Sequence, residues 1–311
     1  MRPPSLDEYR PLLNPFLQQK HNFEKESLRH LADEILRVIY DEVLVACNGN
    51  SVDLSPLAGF LNGLRDEYIT RVYTTNYDDF PLQAVPDLYT GFPEGAGPSK
   101  FELNSFWDKE DVASIFHLHG SIHMGFPHPI PVDGGIGELF WYEDRNCASA
   151  QSRSHPSDDR RMDGSLYMRS PIITGLDKLT RLQQRPLTHF YSALARDLMK
   201  ANVIFVIGSG LGDLHLNSLL KEARSRNPKP SIIFVDYWGG GFFESTRFEM
   251  GRKETEMFHA LGIHVSDGYP PLTVGGGWTT AADRTAAVWD KGFQAFLGDP
   301  AALQRVMGTI V

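Results

Sequence analysis

The first part of the chain carries apolar residues at helical spacing. Within residues 22–48, Leu28, Leu31 and Ile35 follow one another at intervals of three and four, with charged residues between them. This spacing predicts an amphipathic helix that packs this apolar face on a core. A second helix is predicted from Pro56 to Asp66.

Four short apolar runs predict buried β-strands. Each run is rich in β-branched or aromatic residues and stops at polar or glycine-rich residues. The runs are residues 69–75, 112–118, 203–207 and 231–235. Because helical segments separate these runs, we expect neighbouring parallel strands whose carboxyl ends meet at one edge. The predicted fold class is therefore α/β, with a doubly wound, mostly parallel sheet.

Two stretches interrupt the alternation of strands and helices. Residues 79–111 are rich in Pro, Gly and aromatic side chains, while residues 122–185 contain the polar run 149–163, which predicts a flexible loop. We expect these stretches to form a small module inserted into a single domain that spans residues 1–311. A C-terminal helix is predicted around residues 281–297.

The composition is that of an ordinary folded protein. Hydrophobic residues make up 41% of the 311 positions and charged residues 22%. No apolar run reaches the roughly 20 residues that a membrane-spanning helix needs. The first residues do not resemble a signal peptide. We therefore expect a cytoplasmic protein without a membrane partner.

Charge and cysteine content narrow the set of partners. The formal net charge of −9 disfavours an extensive nucleic-acid surface, because phosphate binding needs clustered Lys and Arg. Small molecules, a protein partner or a homo-oligomer are the expected partners. Cys47 and Cys147 are the only cysteines, which excludes a disulfide framework and a four-cysteine zinc site. No zinc is expected.

The apolar run at residues 69–75 ends at Thr75, and Asn76-Tyr77-Asp78 follow directly after it. Polar residues at the carboxyl end of a strand in a parallel sheet are in the usual place for a ligand site. The alternative is an Asx turn with solvated carboxylates. The residues alone leave both interpretations open.

Three histidines lie in or just after the run at residues 112–118. His117 and His119 share one face of a strand, which would suit a metal site. Such a site needs carboxylates at matching spacing, and the sequence does not bring any of them beside these rings. A hydrogen-bonded structural histidine is the alternative, and we prefer it for His117 and His123.

A glycine-rich turn, Gly208-Ser209-Gly210-Leu211-Gly212, follows the run at residues 203–207, and Asp213 is predicted to cap the next helix. Backbone N–H groups in such a turn hold phosphates, although the pattern is not GxGxxG and a tight turn is the alternative. Asp236 ends the next strand, where it is suited to bind ribose hydroxyls or to cap a helix.

The order of these motifs resembles the sirtuin family. The corresponding segments are Thr75–Asp78, His119–Ser121, Gly208–Leu211 and Ile233–Asp236. In sirtuins they are a T-x-N-x-D loop, an HG dipeptide with the catalytic histidine, a phosphate loop and a ribose-binding residue.

Two further segments are similar to the bacterial sirtuin-like branch known for NAD-hydrolysing antiphage defence proteins. The first is Pro171–Gly175 with Lys178, followed by Pro186 and Tyr191. The second is Ile207–Asn217, which is close to the G-Y-S-x-x-D-x-H-x-N pattern of that branch.

The resemblance implies a Rossmann-like domain with NAD as substrate or ligand and NAD+ glycohydrolase (NADase) activity. Asn76, Asp78 and His119 would then be the catalytic residues. The implied contacts with NAD or ADP-ribose are made by Thr75, Gly120, Gly208, Ser209, Gly210, Asp213 and Asp236.

The sequence also departs from the family pattern. Deacetylase sirtuins hold zinc with four cysteines, so deacetylation is disfavoured. No Gly-Ala-Gly-x-Ser loop lies between Met1 and Thr70, and Gly210 replaces the usual serine of the later phosphate loop. A truncated chain, or a catalytically degenerate module that binds NAD or ADP-ribose, is therefore the alternative expectation. A metal-dependent hydrolase is the third.

Overall fold

The computed structural model describes residues 25–49, 52–95, 97–132, 135, 137–152, 170–173, 182–227, 231–237, 272–275, 278–281, 286–301, 303–304 and 307. Of the loop predicted at 149–163, residues 153–163 lie outside these ranges, as do Thr174, Gly175 and Lys178. Within the described ranges, none of the helices is long and apolar enough to cross a membrane.

Helices and strands are mixed along the described chain. The helices are α1 (Lys25–Asn48), α2 (Ser55–Arg65), α3 (Phe80–Ala84), α4 (Leu103–Asp108), α5 (Arg145–Ala150), α6 (Leu187–Lys200), α7 (Leu214–Arg226) and α8 (Phe293–Leu297). The strands are β1 (Arg71–Thr74), β2 (Ser99–Lys100), β3 (Ser114–His117), β4 (Met124–Gly125), β5 (Phe140–Trp141), β6 (Val203–Ile207), β7 (Ser231–Val235), β8 (Leu272–Gly275), β9 (Trp278–Ala281) and β10 (Ala286–Trp289).

The α/β class is confirmed by the strand pairing. Strand β1 pairs in parallel with β3, and β6 and β10 both pair in parallel with β7. Strands β9 and β8 extend the second sheet in antiparallel orientation, giving the order β6-β7-β10-β9-β8. Helices cover both faces of this sheet, because Ile233 packs with Phe296 of α8 while Ile232 packs in the cluster that contains Leu220 of α7.

The four predicted strands form two parallel pairs rather than one continuous ladder. Among the described residues, no strand hydrogen bonds join the β1-β3 sheet to the β6-β7 sheet. Helix packing connects them instead. Phe60 of α2 packs near Val72 of β1 and contacts the ring of Phe205 in β6 at 5.7 Å between centroids. On α6, Asp197 accepts a hydrogen bond from the hydroxyl of Tyr73.

A small three-stranded sheet draws on both of the predicted interruptions. Strand β2 lies in residues 79–111, whereas β4 and β5 lie in residues 122–185, and β5 pairs with both of them in antiparallel orientation. Phe140 and Trp141 of β5 are buried. The assignment of these segments to one inserted module within a single domain stays a prediction.

The first helix forms as predicted, but it packs on the core through a different face. Leu36 and Tyr40 are buried, and the Tyr40 hydroxyl donates a 2.6 Å hydrogen bond to the carbonyl of Ile122. Leu31 and Ile35, which were expected to face the core, are 55% and 51% exposed. Apolar residues occupy two faces of this helix, so periodicity alone did not decide which one is buried.

The prediction of one helix around residues 281–297 was wrong. Residues 286–289 form β10, which is inserted between β7 and β9, and only Phe293–Leu297 are helical. The run Ala286-Ala287-Val288-Trp289 is fully buried. A short, buried apolar run is compatible with either structure, and here pairing with the edge of β7 stabilises the strand.

A candidate site where three strand-end loops meet

The loop after β1 presents Asn76 to solvent and holds it by its backbone. The N–H of Asn76 donates to the Thr74 hydroxyl at 3.0 Å, and its carbonyl lies 3.2 Å from Nδ1 of His117. Thr75 and Asp78 are half-buried. The Asp78 carboxylate accepts the N–H of Phe80 at 3.3 Å, which is the Asx-turn arrangement that the sequence allowed.

The loop after β3 is fixed by a close approach of two backbones. Gly120 has a φ of +89° and bridges to Ile172, while the N–H of Ile173 donates to the carbonyl of His119 at 2.9 Å. A Cβ atom on Gly120 would lie 1.8 Å from the carbonyl oxygen of Pro171. Packing alone therefore requires glycine at this position, whether or not Gly120 also contacts a ligand.

The loop after β6 is a tight, internally bonded turn. Gly208 has a φ of +60° and Leu211 a φ of +48°, a region that a residue with a Cβ rarely adopts. Two side chains hold Leu211 in place: the Ser209 hydroxyl accepts its N–H at 3.2 Å, and Asn217 donates to its carbonyl at 2.7 Å. Asp213 caps α7 as predicted, accepting the N–H of His215 at 3.1 Å.

The loops after β3 and β6 meet at His119, and the loop after β1 lies against the end of β3. The Nε2 atom of His119 lies 3.1 Å from the hydroxyl of Tyr191 on α6 and 3.4 Å from a carboxylate oxygen of Asp213. The loop after β1 is joined to the end of β3 by the His117 contact with the Asn76 carbonyl, and to the segment after β3 by the Ile122 N–H, which donates to the Tyr77 carbonyl at 3.0 Å. The His119–Asp213 contact joins the segment after β3 to the loop after β6. The carboxyl ends of β1, β3 and β6 are thus linked, although β6 belongs to a separate sheet.

Asp236 has a different local role from the other candidate residues. It follows β7, and its carboxylate accepts the N–H of Tyr237 at 2.8 Å while its carbonyl accepts the N–H of Gly292. Among the described residues, no hydrogen bond or ion pair links Asp236 to His119. Likewise, no hydrogen bond joins the side chains of Asn76, Asp78 and His119 to one another.

The carboxyl groups of Asp78 and Asp79, which are adjacent in the loop after β1, have pKa values shifted in opposite directions. Burial raises the pKa of Asp78, and the charge of Asp79 adds to this effect. Burial alone would also raise the pKa of Asp79, but hydrogen bonds from His123, Gln83 and Cys47 outweigh it and hold that pKa well below its ordinary range. Asp79 is thus stabilised as an anion and Asp78 is not.

Asp79 is the centre of a buried polar network that the sequence did not reveal. Its side chain is 2% exposed and accepts hydrogen bonds from Gln83 at 2.7 Å, from His123 at 3.0 Å and from Arg145. Arg145 also donates to the carbonyl of Cys47 at the end of α1. This carboxylate therefore ties the first loop to α1, α5 and the segment after β3.

His117 and His123 are structural histidines, as preferred from the sequence. His117 is 1% exposed, and burial lowers its pKa to about 4. His123 stacks on Trp141 with ring centroids 4.7 Å apart and is held by Asp79 and the Tyr142 carbonyl. No group of three His, Cys, Asp or Glu side chains suited to a metal ion occurs in the described part of the chain.

These features define an α/β protein with a candidate site at the ends of its strands. The sequence profile of the SIR2-like domain family matches residues 70–255, which is more than half of the chain. The protein therefore belongs to the SIR2-like domain family. No curated protein matches its sequence.

Among solved structures, the chain is similar to a point mutant of a Sir2 homologue in complex with ADP-ribose. The two share 13% sequence identity, the alignment covers 87% of each chain, and the TM-score is 0.40.

Two contributors to the site were not identified from the sequence. Asp79 entered only as the first residue of the interruption at 79–111. It precedes the Phe-Pro start of α3, but its side chain makes no capping bond there, so a capping signal would not have shown its role. Tyr191 entered only through a motif likeness, and no local pattern predicts that its hydroxyl meets His119.

Gly120 should tolerate no side chain. We expect Gly120→Ala to lower the free energy of unfolding by more than about 3 kcal/mol, because the new Cβ would collide with backbone rather than with a movable side chain. Gly210→Ala is the matched control, since nothing lies within 4 Å of its Cβ position. Urea unfolding of both variants measures the difference, and equal stabilities would contradict the close approach.

The two adjacent carboxylates should affect stability in opposite directions. Because the pKa of Asp78 is raised, its ionised form costs stability at pH 7, and Asp78→Asn should increase the free energy of unfolding. This gain should shrink as the pH falls through the raised folded pKa of Asp78 and vanish only well below the ordinary aspartate pKa of about 4, where Asp78 is protonated in both states. Asp79→Asn should instead cost about 3 kcal/mol at pH 7, because it breaks a buried ion pair.

The pH dependence separates these effects from ordinary packing losses. The stabilisation by Asp79 is fully present above the ordinary aspartate pKa of about 4 and is lost as the pH falls further toward its depressed folded pKa. Denaturant unfolding of both variants between pH 3 and pH 7 tests this. A stability difference that does not change with pH would show that neither carboxylate acts through its charge.

Proposed function

We propose that this protein is an NAD+ glycohydrolase that cleaves the bond between nicotinamide and ribose. The main support is that contacts of His117 and His119 link the Asn76 loop, the end of β3 and the loop after β6, in a chain that belongs to the SIR2-like domain family. The products of such a hydrolysis would be nicotinamide and ADP-ribose.

The reaction sets clear demands on the site. Water adds to C1′ of the ribose, nicotinamide leaves as a neutral base with the bonding electrons, and one proton is released. Departure of nicotinamide leaves an oxocarbenium-like ribose, so the site must stabilise positive charge and deliver a nucleophile. A neutral imidazole is suited to accept the proton, and a carboxylate or amide is suited to hold the polar groups of the substrate.

The residues of the first two loops would divide these tasks. Asp78 would orient the carboxamide of nicotinamide, and its raised pKa is the mark of a carboxyl kept at a partly desolvated position. Asn76 is exposed at the same edge, where it would position a water or the ribose hydroxyls. His119 would act as the general base, with its ring already held by Tyr191 and Asp213.

The remaining predicted contacts would bind the rest of NAD. In the turn after β6 the Gly208 N–H already donates to the Val235 carbonyl at 2.9 Å, so the N–H groups of Ser209 and Gly210, near the start of α7, would hold phosphate while Gly208 shapes the turn. Asp236 would accept hydrogen bonds from the adenosine ribose, and Thr75 and Gly120 would line the nicotinamide end. Gly210 has open space around its Cβ position, which leaves room for a ligand.

We further propose that the NADase is the effector of an antiphage defence system. The support is the likeness of Pro171–Gly175 and Ile207–Asn217 to the bacterial branch with that role. Expression in bacteria, followed by NAD measurement before and after phage infection, tests this point. Depletion of NAD only after infection is the expected result, and unchanged NAD would contradict the effector role.

Release of nicotinamide from NAD, measured with and without a chelator, tests the activity. We expect turnover that a chelator does not change. Binding of NAD or ADP-ribose without nicotinamide release would instead identify a binding module. Loss of activity in the chelator would identify a metal-dependent hydrolase.

His119→Ala and Asn76→Ala should each lower turnover by about a hundredfold or more, the scale expected for losing a positioned acid–base or orienting group. Both should melt close to the wild type, because these side chains lie at the sheet edge rather than in the core. His117→Ala is expected to act through stability instead, since that ring is buried.

Asn62→Ala on α2 and His128→Ala are the surface controls, and both should keep wild-type turnover. Nicotinamide release and thermal melting of all five variants are measured together. A His119→Ala protein with wild-type turnover would remove the general base from this mechanism.

A further inference from the structure

The imidazole of His119 is held on one nitrogen only. Tyr191 and Asp213 both approach Nε2, at 3.1 and 3.4 Å. Among the described residues, Nδ1 has no hydrogen-bond partner. The ring is 12% exposed, so it is largely shielded from bulk water.

The chemistry of the partners determines which nitrogen carries the proton. An ionised carboxylate only accepts hydrogen bonds, so a lone pair on Nε2 would face the Asp213 oxygen with mutual repulsion. A hydrogen on Nε2 removes this repulsion and donates toward both oxygens. The neutral ring then has its lone pair on Nδ1, the nitrogen that a base would use.

Asp213 itself is fixed from the other side. One of its oxygens accepts the N–H of His215 as the cap of α7, and the other faces His119. The carboxylate therefore links the start of α7 to the loop after β3. As an anion at the phosphate end of the predicted pocket, it is poorly suited to touch phosphate directly, because like charges repel.

We propose that Asp213 and Tyr191 are positioning residues that hold His119 as the Nε2–H tautomer and so leave Nδ1 as the general base. This inference rests on the proposed NADase function for its catalytic meaning. The tautomer itself is a property of the protein without substrate, so it is measured independently of turnover.

The decisive variant is Asp213→Asn. Asparagine is as good a helix cap as aspartate, so it keeps the bond to the His215 N–H through its oxygen. Its amide NH2 group must then face His119, and this donor favours a lone pair on Nε2. We therefore expect the variant to change His119 from the Nε2–H to the Nδ1–H tautomer.

Long-range 1H–15N correlation spectra of the full chain, labelled with 15N-histidine, report each tautomer directly. The spectrum of His119→Gln, which lacks the His119 signals, identifies them among those of the 11 histidines. The wild type should show Nε2–H at His119, and Asp213→Asn should show mainly Nδ1–H. Wild-type Nδ1–H, or an unchanged tautomer in the variant, would overturn the proposal.

Kinetics then connect the tautomer to catalysis. Asp213→Asn should lower kcat at least tenfold with KM for NAD within about twofold, the signature of an interaction needed in the transition state rather than for binding. Tyr191→Phe should lower kcat by less, because Asp213 still fixes the ring. Wild-type kcat in Asp213→Asn would overturn the catalytic part of the proposal.

Asp144→Asn is the matched control. Asp144 also caps a helix, accepting the N–H of Asn146 at 2.8 Å, but it lies at the start of α5 outside the site. It should change neither the His119 spectrum nor kcat.

If the wild type releases no nicotinamide, the proposed function fails, while the spectra still decide whether Asp213 sets the tautomer of His119.

Discussion

The buried carboxylate of Asp79 is the constraint on which the arrangement of the site depends. A charge that is 2% exposed is tolerated only when cations and hydrogen-bond donors surround it, and here His123, Arg145 and Gln83 do so. These partners come from the segment after β3, from α5 and from α3. Satisfying one carboxylate therefore fixes the relative positions of separate segments around the first loop.

The site loops are built from positions where the backbone has little freedom. Gly120 lies against Pro171. Leu211 is kept at positive φ by two hydrogen bonds: its N–H donates to the Ser209 hydroxyl, and its carbonyl accepts from the Asn217 amide. Such positions cost conformational energy and persist because the surrounding contacts determine them. The polar side chains of these loops are thereby anchored to rigid strands and helices, which keeps their positions fixed.

Neighbouring residues of the candidate site differ in what they contribute to stability. Asp79 stabilises the fold as an anion, while the adjacent Asp78 has a raised pKa and is left half-buried at the site. His117 and His119 show the same division. The first is buried in β3 beneath the Asn76 loop, and the second has one nitrogen held and the other available.

The sequence by itself determined the parts of this protein that local chemistry controls. The strands at 203–207 and 231–235 were predicted with their observed bounds, because continuous β-branched and aromatic runs between turns have few alternatives. The cap at Asp213 and the order of the site motifs also followed from local patterns.

Tertiary structure decided what depends on contacts between distant segments. It selected the face of α1 that is buried, because Tyr40 reaches the Ile122 carbonyl while an equally apolar face is left outside. It made 286–289 a strand because β7 offered an edge. It also brought Asp213 and Tyr191 to His119, since hydrogen bonds between side chains far apart in sequence leave no periodic signal along the chain.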